Sequence, residues 1–245
     1  MKKLTCILLC LLLIFSLCSC KNEDKKEDKN SDAIVEETKE NSDKFPAPSP
    51  DMWEKSENNL GARYTFTLEE FTSMLNERCK NLGESEVAEF FDYNNWIEMS
   101  DTLVDDNGIE YASFYYSTDA LTITAAVENE SGKVMNLGCG TSYQEFVNAD
   151  ADYQYTVMLT SAILAMTAGG YDDDSLEFLY YIFFDSAKND VAFFYNNSVY
   201  MLNMSKAEGE EGAALLFMMS PCEDEVLTSW ELTDYKEYDG SYKGK

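Results

Sequence analysis

Gly138, Cys139 and Gly140 set a thiol between two residues without side chains, an arrangement that invites reading Cys139 as a nucleophile. A thiol attacks as its thiolate, and it needs a neighbouring cation or base to lower its pKa. No Lys stands close to Cys139, and the chain has no histidine at all. That absence excludes Ser-His-Asp and Cys-His catalysis, His-ligated zinc and His-ligated haem. The triplet reads better as a bulge or a tight strand end. Carboxylates are the chemistry that remains, because two acids can cleave a glycosidic bond without histidine. With 46 acidic side chains in 245 residues, however, nothing in the sequence marks one pair as buried or apposed.

Metal chemistry meets similar limits. Asn148, Asp150 and Asp152 imitate the alternating oxygen ligands that open an EF-hand loop, but Tyr153 stands where the loop needs Gly and Leu159 where it needs a bidentate Glu. Helix capping is the better account of these acids. Asp172, Asp173 and Asp174 read as a turn and an N-cap, and Asp105, Asp106, Asn107 and Gly108 as a turn before a strand. Cys79, Cys139 and Cys222 have no metal-ligand spacing, and buried thiols are the simplest reading of them. No metal and no cofactor is expected.

Charge narrows the partners. The formal net charge is −28, and residues 51–245 carry 10 basic against 37 acidic groups. A surface this negative repels phosphate, so nucleic-acid partners are excluded, while cationic proteins and neutral glycans are not. The 16 Tyr and 3 Trp suit protein or carbohydrate recognition, where rigid amphipathic rings supply contact area. Trp96, Tyr115, Tyr116, Tyr195 and Tyr200 are the expected exposed members of a binding surface.

The address is written at the start. Lys2 and Lys3 precede an apolar run from Ile7 to Leu17, too short to span a bilayer comfortably, and the run stops at Leu17, Cys18, Ser19 and Cys20. These four residues resemble the bacterial lipobox, with Cys18 where Ala or Ser is usual. The resemblance implies that residues 1–19 are a signal peptide and that Cys20 becomes the lipidated first residue of a chain held at the extracytoplasmic face of the cell membrane. Residues 20–50 then form a lipidated linker. Their mixed charges bury too little to offset ordering, and Pro46, Pro48 and Pro50 stiffen the end.

The folded part, expected over 51–245, must position any site. Thr67 and Glu70 make a capping box, Phe66 and Phe71 a hydrophobic staple, and Phe71, Met74, Leu75, Cys79 and Leu82 one apolar face, which together predict a helix over 68–82. Residues 84–98 are expected to hold a second short helix. Ile109–Ser117, Ala120–Glu128 and Lys133–Thr141 predict a three-stranded antiparallel meander. Leu121, Ile123 and Ala125 alternate with Thr122 and Thr124, which suggests one core face and one wetter face. Asp150 or Asp152 caps a further helix that ends at Gly169 and Gly170. The run Phe178–Phe184 fits helix or strand. Val191–Tyr195, Val199–Asn203 and Ala213–Met219 are the last strands expected.

Helix plus meander, twice over, gives an α+β fold of tandem repeats at 65–141 and 148–220. This element order resembles the β-lactamase inhibitor protein-like fold, which implies a joined sheet that binds another protein. The function expected is therefore a surface-anchored lipoprotein whose domain binds a protein or glycan partner and is not an enzyme; the rival is a small carboxylate-dependent glycan hydrolase.

Overall fold

Helix α1 (Leu68–Leu82) begins at its expected cap. The Thr67 backbone N–H donates to Glu70 Oε2 at 2.7 Å, and the Glu70 N–H donates back to Thr67 Oγ1 at 3.3 Å. Phe66 and Phe71 stack with ring centroids 5.4 Å apart, so the staple sets the chain's direction into the helix. Phe71, Leu75 and Cys79 are buried along one stripe. The computed structural model describes residues 48–55, 62–82, 91–99, 102–104, 108–189, 193–194, 199–205, 214–221 and 236–237.

Two short strands precede α1: β1 (Trp53–Lys55) and β2 (Ala62–Tyr64), paired antiparallel. After α1, the described part of the expected second helix is a 3-10 turn, Tyr93–Asn95, followed by strand β3 (Ile97–Glu98). Asp92 Oδ1 accepts from the Asn94 N–H at 2.9 Å. Side chains that compete for backbone donors favour turns over helix interiors, which is why 93–95 is a turn and not part of an α-helix. The rest of that stretch, 84–90, lies outside the described residues.

Strands β4 (Leu103–Val104), β5 (Glu110–Ser117), β6 (Thr122–Glu128) and β7 (Val134–Ser142) follow, the last three forming the predicted meander. Next come helices α2 (Tyr143–Asn148), α3 (Ala151–Gly169) and α4 (Leu176–Asn189). The chain then runs through β8 (Phe193–Phe194), β9 (Val199–Ser205), β10 (Ala214–Ser220) and β11 (Lys236–Glu237). Phe178–Phe184 is thus helical. The short α2 was not expected, although Ser142 and Glu145 carry its capping pattern and the Glu145 N–H donates to Ser142 Oγ at 3.3 Å.

The architecture is α+β. One seven-stranded sheet has the order β3-β5-β6-β7-β10-β9, with β4 also on β5, and every pair in it is antiparallel. The two halves of the chain meet where β7 pairs with β10. They do not contribute equally. Among the described residues the first half supplies three long strands and the second two, while β8 pairs in parallel with β11 in a separate two-stranded sheet. This pairing does not by itself establish two repeats.

Helices cover one face of the sheet. Ile123, Leu137, Cys139 and Phe217 join Phe71, Leu75, Val157, Ile163 and Phe183 in one core. Phe183 meets Phe217 edge-on at 4.9 Å. The other face is not the wetter one expected from alternation, because Ser113 and Thr124 on it are fully buried and Thr122 nearly so. A threonine carries a methyl as well as a hydroxyl, so Thr at alternate positions does not by itself mark a solvated face.

Gly138 and Gly140 are also placed differently from the bulge or strand end expected. Both sit inside β7, paired with β6 on one side and β10 on the other. The irregularity in this ladder lies elsewhere, between Ala126 and Val127.

At the far end of α3, Gly170 adopts φ +62°, and its N–H closes the helix onto Met166 and Thr167 carbonyls. The segment ahead of β1 docks there, with the Ser49 N–H donating to the Gly169 carbonyl at 2.8 Å. Gly170→Ala is expected to lower stability by about 1–2 kcal/mol from the left-handed backbone alone. Its new methyl would also lie 2.5 Å from Met52 Cγ. A fall in the urea midpoint, partly restored by Met52→Ala, measures both contributions.

Candidate interaction surface

The chemistry suggested by Cys139 is closed off by its place in the fold. The thiol is fully buried, donates to Ser161 Oγ at 3.4 Å, and is pushed up to about 12 by burial. A thiol so far from ionising is a core side chain, not a nucleophile. Asp150 is a helix cap, its Oδ1 accepting from the Tyr153 N–H at 2.9 Å. Asp173 is paired with Arg78, whose guanidinium also donates to the Tyr171 carbonyl at 2.7 Å. Among the described residues no group of three or more Cys, Asp or Glu side chains converges as a metal site would require.

The aromatic residues picked from the sequence divide. Trp96 and Tyr116 are core residues, with 9 % and 4 % exposure. Trp96 Nε1 donates to Thr72 Oγ1 at 3.0 Å, and its ring meets Tyr116 edge-on at 5.4 Å. The Tyr116 hydroxyl accepts from the Asp92 N–H at 3.3 Å. Both polar tips are satisfied inside the protein, which is what permits such rings to be buried. Tyr115 is half-buried on the opposite face of the sheet, between Ile97 and Thr124 in register. Tyr200 lies in β9, paired with Met219 of β10, and Tyr195 lies outside the described residues. Of the three whose side chains are described, Trp96 and Tyr116 lie in the core and Tyr115 on the opposite face of the sheet, so these three do not form one exposed patch.

A different aromatic group does reach the surface. The first six residues of α3, Ala151–Thr156, are exposed or half-buried, and burial then runs unbroken from Val157 to the helix end at Gly169. Tyr153 turns inward, its hydroxyl donating to the Ala120 carbonyl at 2.8 Å, while Tyr155 turns outward and is 50 % exposed. Helix α4 packs beside α3. Its Leu179, Ile182 and Phe183 are buried, and Tyr180, Tyr181 and Phe184 are half-buried on other sides of the same helix.

Tyr180 is the hub of this group. Its ring centroid lies 5.6 Å from Tyr155, 5.4 Å from Tyr181 and 6.1 Å from Phe184, at interplanar angles of 48°, 79° and 15°. Burial, with the neighbouring Tyr155 and Tyr181 hydroxyls, holds the Tyr180 phenol above its ordinary pKa. The phenol therefore stays neutral and able to donate at physiological pH.

The electrostatic setting is predominantly negative, and Lys188 in the last turn of α4 is the first basic residue in the sequence after Lys133. From Val134 to Ala187 the sequence has eight acidic residues and no Lys or Arg. Exposed Asp152 stands one turn before Tyr155 on α3, and exposed Glu177 one turn before Tyr180 and Tyr181 on α4, spacings that set each acid on the aromatic side of its helix. The arrangement offers flat apolar area, phenolic donors and negative charge.

No protein-family model matches the chain, and no curated protein or solved structure matches it. Among the described residues no helix is long and apolar enough to cross a membrane.

Proposed function

We propose that this chain is a lipid-anchored protein of the extracytoplasmic face of the cell membrane, whose α+β domain binds a protein or envelope ligand without catalysing a reaction. The observation that carries the binding half is the Tyr155–Tyr180–Tyr181–Phe184 group on α3 and α4. Aromatic rings grouped at a surface supply large contact area at low cost in side-chain entropy, as recognition surfaces require. The anchoring half rests on Lys2, Lys3, the apolar run and the Leu17–Cys20 lipobox, which lie outside the described residues.

Two measurements test the two halves. Cys20→Ser is expected to abolish incorporation of labelled palmitate and to move the protein out of the membrane fraction; labelling equal to wild type would sink the anchor. For binding, thermal melts of the full chain in neutral detergent are compared across envelope glycans and envelope peptides. A ligand of the native state at a hundred times its Kd adds about 2.7 kcal/mol and raises the midpoint. That rise is expected to disappear in Tyr155→Ala/Tyr180→Ala, and an undiminished rise in the variant would remove this surface from consideration.

A further inference from the structure

Resting on that reading of the aromatic face, we infer that its partner is a protein segment presenting Arg or Lys side chains, which stack on Tyr155 and Tyr180 while Asp152 and Glu177 supply the counter-charge.

The geometry suits cations for three independent reasons. A tyrosine ring is negative on its face, so an exposed face attracts a guanidinium or ammonium group, with Arg favoured because its plane also stacks. Tyr155 is half exposed and its ring is tilted 48° to that of Tyr180, so the two rings do not close flat on each other. The acids of the run 134–187 include one on each helix one turn from the rings, Asp152 on α3 and Glu177 on α4, both exposed. An acidic or phosphorylated partner would meet repulsion from both carboxylates here. A wholly apolar partner would strand both carboxylates at the edge of a dry contact.

The chain's large negative charge attracts any polycation in bulk, so the test must separate a local site from that general field. The probe is a labelled eight-residue peptide of alternating Gly and Arg, with a matched peptide in which citrulline replaces Arg, keeping the planar shape without the charge. Binding to the full chain in neutral detergent is followed by fluorescence anisotropy at physiological salt.

The Arg peptide is expected to bind, and the citrulline peptide to bind about tenfold or more weakly. Tyr155→Leu/Tyr180→Leu, which changes no charge, is expected to weaken the Arg peptide about fivefold or more. Asp152→Asn/Glu177→Gln is expected to weaken it more than Glu69→Gln/Glu110→Gln, which removes the same charge from exposed positions on α1 and β5. Unchanged melting midpoints keep the comparison between folded proteins. Equal losses from the two acid pairs, or no loss from the leucine pair, would overturn the inference in favour of bulk attraction. No binding of the Arg peptide by wild type would also overturn it. Citrulline binding as tight as Arg, lost in the leucine pair, would overturn the cationic partner while leaving the aromatic face standing; an envelope ligand unaffected by the tyrosine changes would remove the face itself.

Discussion

Arg63→Ala is expected to cost about 3–5 kcal/mol, a large part of the stability of a domain this size. Arg63 lies in β2 with a side chain 9 % exposed, and it pairs with Glu128 of β6, whose side chain is 7 % exposed. Arg63 Nε also donates to Glu54 of β1 at 3.0 Å, and Lys133, just before β7, donates to the same Glu54 oxygen at 2.6 Å. Glu128 accepts from Ser131 Oγ as well. Four charged groups thus clasp the β1–β2 pair to the β6–β7 turn. Removing the guanidinium leaves a buried carboxylate with one hydroxyl, and that stranded charge is the source of the loss. Arg63→Met/Glu128→Leu is therefore expected to be much less damaging than Arg63→Ala, since no charge is left behind. Urea unfolding of the three proteins checks the order, and a double variant worse than the single would refute the explanation.

The same clasp gives a pH dependence with a definite sign. Hydrogen bonds from Lys133 and then Arg63 hold the Glu54 carboxyl below its ordinary value of 4.5. A carboxyl depressed in the folded state binds its proton more readily when unfolded, so its contribution is present above the ordinary value and is lost as pH falls through the folded one. Glu54 is about a third exposed, so solvent screens the effect and it is small. Glu54→Gln should flatten the acid limb of the stability curve without changing it near neutrality by more than the lost ion pairs do.

How much of this was legible follows from how local each signal is. The capping box, the staple and the apolar stripe of α1 all lie between Phe66 and Leu82, and the structure reproduces the cap and the staple contact by contact. The meander was equally readable, because its polar turns lie beside the strands they join. The clasp was not. Arg63 and Glu128 are 65 residues apart, and a sequence with 46 acids gives no reason to prefer one partner. The β8–β11 pairing is non-local in the same way.

The candidate surface was hidden by an ambiguity that periodicity cannot resolve. Tyr180, Tyr181, Ile182, Phe183 and Phe184 fit a buried strand as well as a helix. Once the segment is α4, five consecutive large side chains must point all around it, and one core face cannot bury them all. Surface exposure of Tyr180 and its neighbours then follows from helical geometry. Trp96 and Tyr116 misled for the opposite reason. Amphipathic rings with a polar tip suit a recognition surface, yet Thr72 and the Asp92 backbone satisfy those tips inside the core.

Gly140→Val is expected to destabilise by about 3 kcal/mol or more, and Gly138→Ala by clearly less, although the two glycines flank the same cysteine. A Cβ at Gly140 would lie 2.6 Å from Leu216 Cδ2 and 2.7 Å from the Leu215 carbonyl oxygen. The second of these is backbone of β10, paired with β7 along the seam where the two halves of the sheet join, so it yields only if that pairing opens. A Cβ at Gly138 would meet Thr124 Oγ1 at 2.8 Å, a side-chain atom that a rotamer change can move. Thr124→Ala should accordingly restore most of the loss in Gly138→Ala, whereas Leu216→Ala should restore only part of the loss in Gly140→Val. Equilibrium unfolding of the two pairs distinguishes them. A full rescue of Gly140→Val by Leu216→Ala would mean that the side chain, not the backbone seam between β7 and β10, is what excludes a larger residue at 140.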